Sequence, residues 1–515
     1  MRTAAFIYAG SLSRHALESV NGGSSAFERC LAFVGGLPGL ERAVVAEGAL
    51  ALPPGPYAVV HRDSWTVDSL LSEMALAAKG VDALFFAWGD EPFLDAALAG
   101  RMLEDFRKYR AEYGFADGYP VGLSAEILAP RVLEAIRGLA ASLPPEVERD
   151  SIFAAVQKDI NAFDIETDIS PRDLRDLRLT LACDTRRNKL LVDRLAAAGV
   201  RDVPTALEVI PRSLGLLRTL PAFVQVQVEA GCPQSCKLCP YPSFGPRGGG
   251  NILSDRRSME RGRFASILDQ VVELSGDAVI DISLWGEPSL HPDIAGLIDE
   301  AVARPSLSLI VETSGIGWDE RTVERIASRA SGSRGLDWVV SLDAASPALY
   351  SELRGRGFEE AVAFADLLIG LFPGRAHVQM VRATENEAEL EAFWREWKKK
   401  TDKVIVQKYS RQAGLLPERK VSDLSPLVRR PCWHLKRDLS ILLDGTIPLC
   451  RDYSQGDIVL GNAFEALGGK AAGIAAAWDA GEPFHAAHVE ACRSGSGSRF
   501  PAPCEACDEY YTYNA

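Results

Sequence analysis

Residues 231–240 read Gly231-Cys232-Pro233-Gln234-Ser235-Cys236-Lys237-Leu238-Cys239-Pro240, and this stretch decides how the middle of the chain is built. Its three cysteines are spaced C-x3-C-x2-C. They come after Val224-Gln225-Val226-Gln227-Val228, an alternating run that predicts a strand. Three thiolates on one short loop suit three irons of a [4Fe–4S] cluster, because soft sulfur ligands favour such centres. The fourth iron is then left for a small molecule, whereas ordinary electron-transfer clusters are usually closed by four cysteines. Zinc or unligated thiols is the alternative. Zinc favours paired C-x2-C knuckles, which Cys232 and Cys236 do not make.

Downstream, Gly245-Pro246-Arg247-Gly248-Gly249-Gly250 reads as a flexible segment at the edge of a site. Strands are expected at Ala278–Leu284, Ser306–Val311, Trp338–Leu342, His377–Val381 and Lys403–Gln407, with helical patterns between them. With the strand before the cysteines, these give six strand-then-helix repeats, a partial parallel (β/α)6 barrel over residues 222–410. Trp285-Gly286-Glu287-Pro288, Ser341 with Asp343, and Arg354 fall at or beyond strand C-terminal ends, where barrel active sites are built.

The cysteine loop and the strand-end residues after it resemble the radical S-adenosylmethionine (radical SAM) superfamily, whose signature is this spacing. The resemblance implies that the open iron chelates the methionine part of SAM. An electron from the cluster then yields methionine and a 5′-deoxyadenosyl radical. It implies that Gly286-Glu287 binds the SAM amino group and that Ser341 and Arg354 contact its carboxylate. It also implies a reductant such as flavodoxin or ferredoxin. One departure is Leu238, where the family usually has an aromatic residue before the third cysteine.

Residues 1–205 form a first unit in which strand-like runs at Thr3–Ala9, Ala43–Ala46, Tyr57–Val60 and Asp82–Ala87 alternate with helical patterns, an open α/β sheet. Two runs end in an aspartate: Ala83–Trp88 before Gly89-Asp90-Glu91-Pro92, and Arg178–Ala182 before Cys183-Asp184. Two carboxylates at neighbouring strand ends can hold Mg²⁺ over a nucleotide phosphate. The unit resembles sugar-nucleotide cytidylyltransferases of the spore-coat polysaccharide type. The matching pieces are Gly89–Phe93, Gly118–Gly122 with Glu126, Arg149–Phe153, and Arg178 through Asp184; the two matching aspartates, Asp90 and Asp184, bind metal in that family. The first loop, Ala9-Gly10-Ser11-Leu12-Ser13-Arg14, departs from the family's glycine-rich turn, and the next lysine is Lys79. Two readings stand: a degenerate binding fold or a working nucleotidyltransferase. Pro204, Pro211 and Pro221 mark 206–221 as a linker.

A second linker is expected over 411–430, and residues 431–515 form a third unit. There Leu439–Leu443 and Thr446–Cys450 read as a hairpin turning at Gly445. Cys432, Gly445-x4-Cys450, Leu460-Gly461-Asn462 and Cys504-x2-Cys507 resemble a shortened SPASM domain, the auxiliary iron–sulfur cap of many radical SAM enzymes. The resemblance implies one auxiliary [4Fe–4S] cluster on Cys432, Cys450, Cys504 and Cys507. Cys492 is an alternative ligand to Cys432, and zinc is an alternative metal. The whole arrangement resembles the uncharacterised spirochaete spiro-SPASM family.

Composition narrows the partners. With 515 residues and 47% hydrophobic content the chain supports several packed cores. Lys and Arg number 56 against 70 Asp and Glu, so the net charge of −14 disfavours a nucleic-acid surface. Ten cysteines in a long chain point to metal binding rather than a disulfide framework. No apolar run approaches membrane-spanning length, and a cytoplasmic setting is expected. Three functions emerge as expectations: a radical SAM enzyme acting on a peptide or protein, a bifunctional sugar-nucleotide transferase and radical SAM enzyme acting on a carbohydrate, and a non-catalytic iron–sulfur scaffold.

Overall fold

The computed structural model describes residues 1–241, 257–330, 335–422, 425–426, 428–454, 456, 458–469, 472–494, 500–505 and 507–511. The Gly245–Gly250 segment lies outside them. The chain folds as two compact units, Met1–Thr219 and Leu220–Ala515.

The first unit is an α/β fold on β1 (Thr3–Ala9), β2 (Leu40–Glu47), β3 (Ala58–His61), β4 (Ala83–Trp88), β5 (Tyr113–Asp117), β6 (Glu126–Leu128) and β7 (Ile165–Ile169). Among the described residues its sheet order is β3-β2-β1-β4-β6-β5-β7, with β6 antiparallel to β4 and β5. Every residue of β1 and β4 is buried, as central strands covered on both faces require. The expected strand at Arg178–Ala182 is not one. It makes a single bridge, Val121 to Thr180, and Arg178 takes a left-handed φ of 50° that a ladder does not accommodate. The expected linker is also largely helical. Helix Val203–Arg212 is capped by Asp202 and carries Pro204 in its first turn, where the absent N–H breaks no bond; Pro211 sits next to its last residue.

The second unit is built on β8 (Phe223–Val226), β9 (Ala278–Asp281), β10 (Leu307–Thr313), β11 (Leu336–Ser341), β12 (Ala376–Arg382), β13 (Val404–Lys408) and β14 (Asp438–Ile441). Their order is β13-β12-β11-β10-β9-β8-β14, all parallel. Strands β8 to β13 stand in chain order with helices such as Arg261–Ser275, Ile294–Val302 and Phe358–Leu371 between them, an open six-stranded barrel.

The Val/Gln alternation of β8 separates two buried faces. Val224, Val226 and Val228 join Phe264, Ile267, Leu268 and Val271 in the core under the helices. Gln225 and Gln227 are buried as well, and Gln225 donates to Asp281 at 3.1 Å. In a barrel the polar face turns inward rather than to solvent, and these side chains find one another there.

The stretch from 431 does not stand apart. Its β14 adds to the barrel sheet alongside β8, with Leu439 and Ile441 in the same core. The expected hairpin is therefore split. Beyond the turn at Gly445 (φ 91°), β15 (Thr446–Pro448) pairs antiparallel with β16 (Val459–Asn462). Among the described residues no helix is long and apolar enough to cross a membrane.

Candidate active site

The cysteine loop leaves β8 and is fastened on two sides. Ser235 N–H donates to the Arg354 carbonyl at 3.2 Å and Lys237 N–H to the Leu353 carbonyl at 2.8 Å. Gln234 Nε2 reaches the Arg356 carbonyl at 2.8 Å, and Lys237 pairs with Glu352 at 2.9 Å. On the other side Glu287 N–H donates to the Gly231 carbonyl at 2.7 Å. Gly286 is required there: its φ is 92°, and a Cβ would sit 2.1 Å from the Glu229 carbonyl oxygen.

Cys232, Cys236 and Cys239 are in no disulfide, and all three line one cavity of about 200 Å³. Burial pushes each thiol up, Cys239 to about 12. Among the described residues no three His, Cys, Asp or Glu side chains converge as a single ion asks. A cubane asks something else, that each thiolate meet its own iron. Three free thiols at one cavity are the donor set that three irons of such a cluster take.

The same cavity is lined by Gly286, Glu287, Ser341 and Arg354, which the topology gathers at or beyond the ends of two strands and one helix. Glu287 is 2% exposed; its carboxylate accepts from Thr313 Oγ1 and, at 2.8 Å, from Ser314 N–H. Burial nevertheless holds its pKa above the usual carboxylate range. Ser341 Oγ accepts from Gln379 Nε2 at 3.2 Å.

Arg354 is buried and ion-paired with Asp343, a residue at φ 61° whose other oxygen accepts from Val381 N–H at 2.7 Å. Asp343 fixes the guanidinium, while Arg354 Nε reaches no acceptor among the described residues. Its fork matters more than its charge. On the expectation that Arg354 takes the SAM carboxylate, Arg354→Lys should leave iron content unchanged and weaken SAM binding about tenfold, or ~1.4 kcal/mol, in calorimetric titration.

Sequence reasoning missed Asp343 as the anchor of Arg354, and Thr313 and Ser314 as partners of Glu287. It also missed Lys408, Arg451 and Glu509, which line the cavity together with Glu312, a strand-end residue, and Asp452, two residues past Cys450. Lys408 pairs with Glu509 there, and Glu312 is pushed up to about 7 by burial and by Asp281 nearby, against Arg451. Leu238 packs against Ala383, Tyr409 and Leu416. Trp285 stacks with Tyr241 at 6.4 Å and donates to Ser454 Oγ at 3.1 Å.

Residues 226–395 match the model of the radical SAM superfamily. The chain belongs to that superfamily. It is a radical SAM enzyme. An uncharacterised protein of Treponema pallidum (strain Nichols) is 35% identical over 376 residues, 70% of this chain and 98% of that relative, so the two belong to one family. Among solved structures, Streptococcus suis SuiB bound to precursor peptide SuiA is similar at 15% identity and a TM-score of 0.40, over 74% of this chain and 84% of that one. A cytidylyltransferase from Leptospira borgpetersenii is similar at 18% identity and a TM-score of 0.35, over 42% of this chain and 96% of that one.

The radical SAM unit contains a second group of thiols. Cys432, Cys450, Cys504 and Cys507 are free and line one small cavity with Arg429, His434, Asp452 and His488. Burial pushes Cys450 well up, and Asp452 and the other three cysteines add to the effect. Cys432, Cys504 and Cys507 are each pushed up to about 12, chiefly by burial. Arg429 Nη2 donates to the Cys504 carbonyl at 2.6 Å and its guanidinium lies 3.8 Å over the Phe500 ring, which fixes the last cysteine pair. Cys492 does not line this cavity. His434 and Asp452 line both cavities and form the wall between them.

In the first unit Asp90 and Asp184 are brought together, but around a side chain. Arg149 Nη2 lies 2.6 Å from Asp90 and 3.5 Å from Asp184, and Nη1 lies 3.0 Å from Glu91. Its guanidinium covers the Trp88 ring at 4.6 Å. Arg14 is exposed and near Glu18.

Glu91 is pushed up to about 8 by burial, with Arg149 opposing and Asp90 adding. Its folded pKa lies above the ordinary 4.5, so the folded state holds the proton longer. The stability it contributes is complete below about 4.5 and is lost as pH rises through about 8. Urea unfolding is expected to show the unit weakening from pH 6 to 9, with a flatter profile in Glu91→Gln.

Proposed function

We propose that Cys232, Cys236 and Cys239 hold a [4Fe–4S] cluster, and that Glu287 takes the amino group of SAM while Ser341 and Arg354 take its carboxylate. When bound, the cluster and SAM supply reductive cleavage and hydrogen-atom abstraction from a substrate C–H bond. The observation that carries this reading is that all six groups line one cavity at the strand C-terminal ends. Asp343 orients Arg354, Thr313 and Ser314 orient Glu287, and the loop hydrogen bonds to residues 353, 354 and 356 tie cluster position to carboxylate position. Trp285 and Tyr241, stacked on one another, supply an aromatic part of the same lining.

We further read Cys432, Cys450, Cys504 and Cys507 as ligands of one auxiliary [4Fe–4S] cluster. Support comes from four free thiols at one cavity. With the SPASM-like spacing this favours the spiro-SPASM assignment and a peptide or protein substrate. The cytidylyltransferase-like front is the reason to test a carbohydrate too. A cytoplasmic setting with flavodoxin or ferredoxin as reductant suits such clusters.

For the first unit we favour a degenerate fold kept for binding. Arg149 stands against Asp90 and Asp184, where Mg²⁺ would be needed. Pyrophosphate release from CTP that disappears in Asp90→Ala would overturn that reading and restore the bifunctional one. The radical SAM reading is tested by anaerobic reconstitution, iron counting and a 5′-deoxyadenosine assay with dithionite. Full iron loading and SAM binding without product would leave a scaffold instead.

A further inference from the structure

His488 lies on the helix Glu482–Ser494 and is 1% exposed. Neither ring nitrogen has a hydrogen-bond partner among the described residues. Its ring meets Phe500 edge-on at 4.9 Å. It lines the cavity of Cys432, Cys450, Cys504 and Cys507, and much of the remaining lining is apolar, Leu435, Leu449 and Pro503 included.

A neutral imidazole always carries one N–H. Buried with no acceptor among the described residues, that group forfeits its bonds to water. Arg429, on the same lining, offers only donors. Asp452 lies near Arg451, 3.7 Å away. The sulfurs of a four-thiolate centre are acceptors, and the centre is anionic, so an N–H directed at it makes a charge-assisted bond.

We propose that His488 donates a hydrogen bond to a sulfur of the centre held by the four C-terminal cysteines and thereby raises its reduction potential. This rests on the auxiliary-cluster reading. Reduction adds one electron to the centre, supplied by dithionite in the test, and His488 stays neutral throughout. The added negative charge strengthens the hydrogen bond, so the reduced form gains more from it than the oxidised form. Four cysteines already supply one ligand per iron, so the ring acts from beside the centre as a positioning and tuning residue.

The experiment is a dithionite-poised redox titration read by electron paramagnetic resonance. It uses the full-length chain carrying Cys236→Ala, so that the C-terminal centre alone contributes. Adding His488→Leu is expected to lower the ratio of reduced to oxidised centre about tenfold at fixed potential, or about 59 mV for one electron. His488→Gln returns a donor and is expected to recover part of the shift. With 15N-labelled histidine, a weak nitrogen coupling is expected in the parent and absent from the Leu variant. An unchanged midpoint in the Leu variant overturns the proposal, as does a coupling as strong as direct iron ligation. Should Leu leave no centre, Gln decides. A centre kept near the parent midpoint supports the donor, and one lost or shifted tenfold overturns it. Failure of the auxiliary-cluster reading looks different: the parent would bind no C-terminal iron, and Cys450→Ala would remove none.

Discussion

Cys236→Ala is expected to reduce 5′-deoxyadenosine formation to background and to halve the iron of the reconstituted protein, from about eight per chain to about four. The size of the effect comes from the division of labour among the thiols. With three ligands for a cubane there is no spare, and a buried alanine offers iron nothing. The loop itself survives. Ser235 and Lys237, on either side of Cys236, donate their N–H groups to the carbonyls of residues 354 and 353, bonds that do not involve the sulfur. Unfolding midpoints should therefore stay near wild type while the chemistry is lost. Cys450→Ala is the control. It is expected to lose the other half of the iron and keep SAM cleavage, because Cys450 lines the second cavity and not the first. Cleavage by Cys236→Ala, or an unchanged iron count, would remove the foundation of the proposed reaction.

What the sequence disclosed and what it withheld divide along physical lines. The C-x3-C-x2-C spacing is local: one short loop must carry all three sulfurs, so reading it needs no knowledge of the rest of the fold. Glu287, Ser341 and Arg354 were singled out by the resemblance, through their order after the cysteine motif, and all three line the cavity that the cysteines line. Asp343 was visible at a strand end, but its pairing with Arg354 was not, because it spans 11 residues and a left-handed backbone step, which no periodicity reports. The alternation in β8 was visible, but alternation alone does not say whether the polar face meets water or a barrel interior; Gln225 and Gln227 proved to be buried. Leu439–Leu443 was legible as a strand, close to the observed Asp438–Ile441, yet its partner, β8, lies more than 200 residues earlier. The Arg149 contact with Asp90 is likewise non-local, at a separation of 59. Two strand-end aspartates read the same way whether a metal or an arginine stands between them.

Arg149→Ala is expected to destabilise the first unit by about 3–5 kcal/mol, the usual cost of removing one partner from a buried ion pair. Asp90 and Glu91 have side chains 4% and 5% exposed, and Arg149 lies within hydrogen-bond distance of both. Without it, the Asp90 carboxylate, and that of Glu91 once pH passes about 8, face a low-dielectric interior. They respond by holding protons to higher pH, so the loss should shrink as the pH is lowered. In a unit of this size the change corresponds to a melting point lower by roughly 6–20 °C in thermal unfolding of the full chain. Arg149→Lys should fall between, since an ammonium keeps the charge but cannot address Asp90 and Glu91 with separate nitrogens. Magnesium separates the two accounts of the unit. With the guanidinium in place, millimolar Mg²⁺ is expected to leave the wild-type melting point unchanged; in Arg149→Ala it has two vacated carboxylates, Asp90 and Asp184, to bind and should restore part of the loss. A wild-type protein stabilised by Mg²⁺ would mean that Arg149 yields to the metal, and the first unit would then have to be treated as a nucleotidyltransferase site in working order.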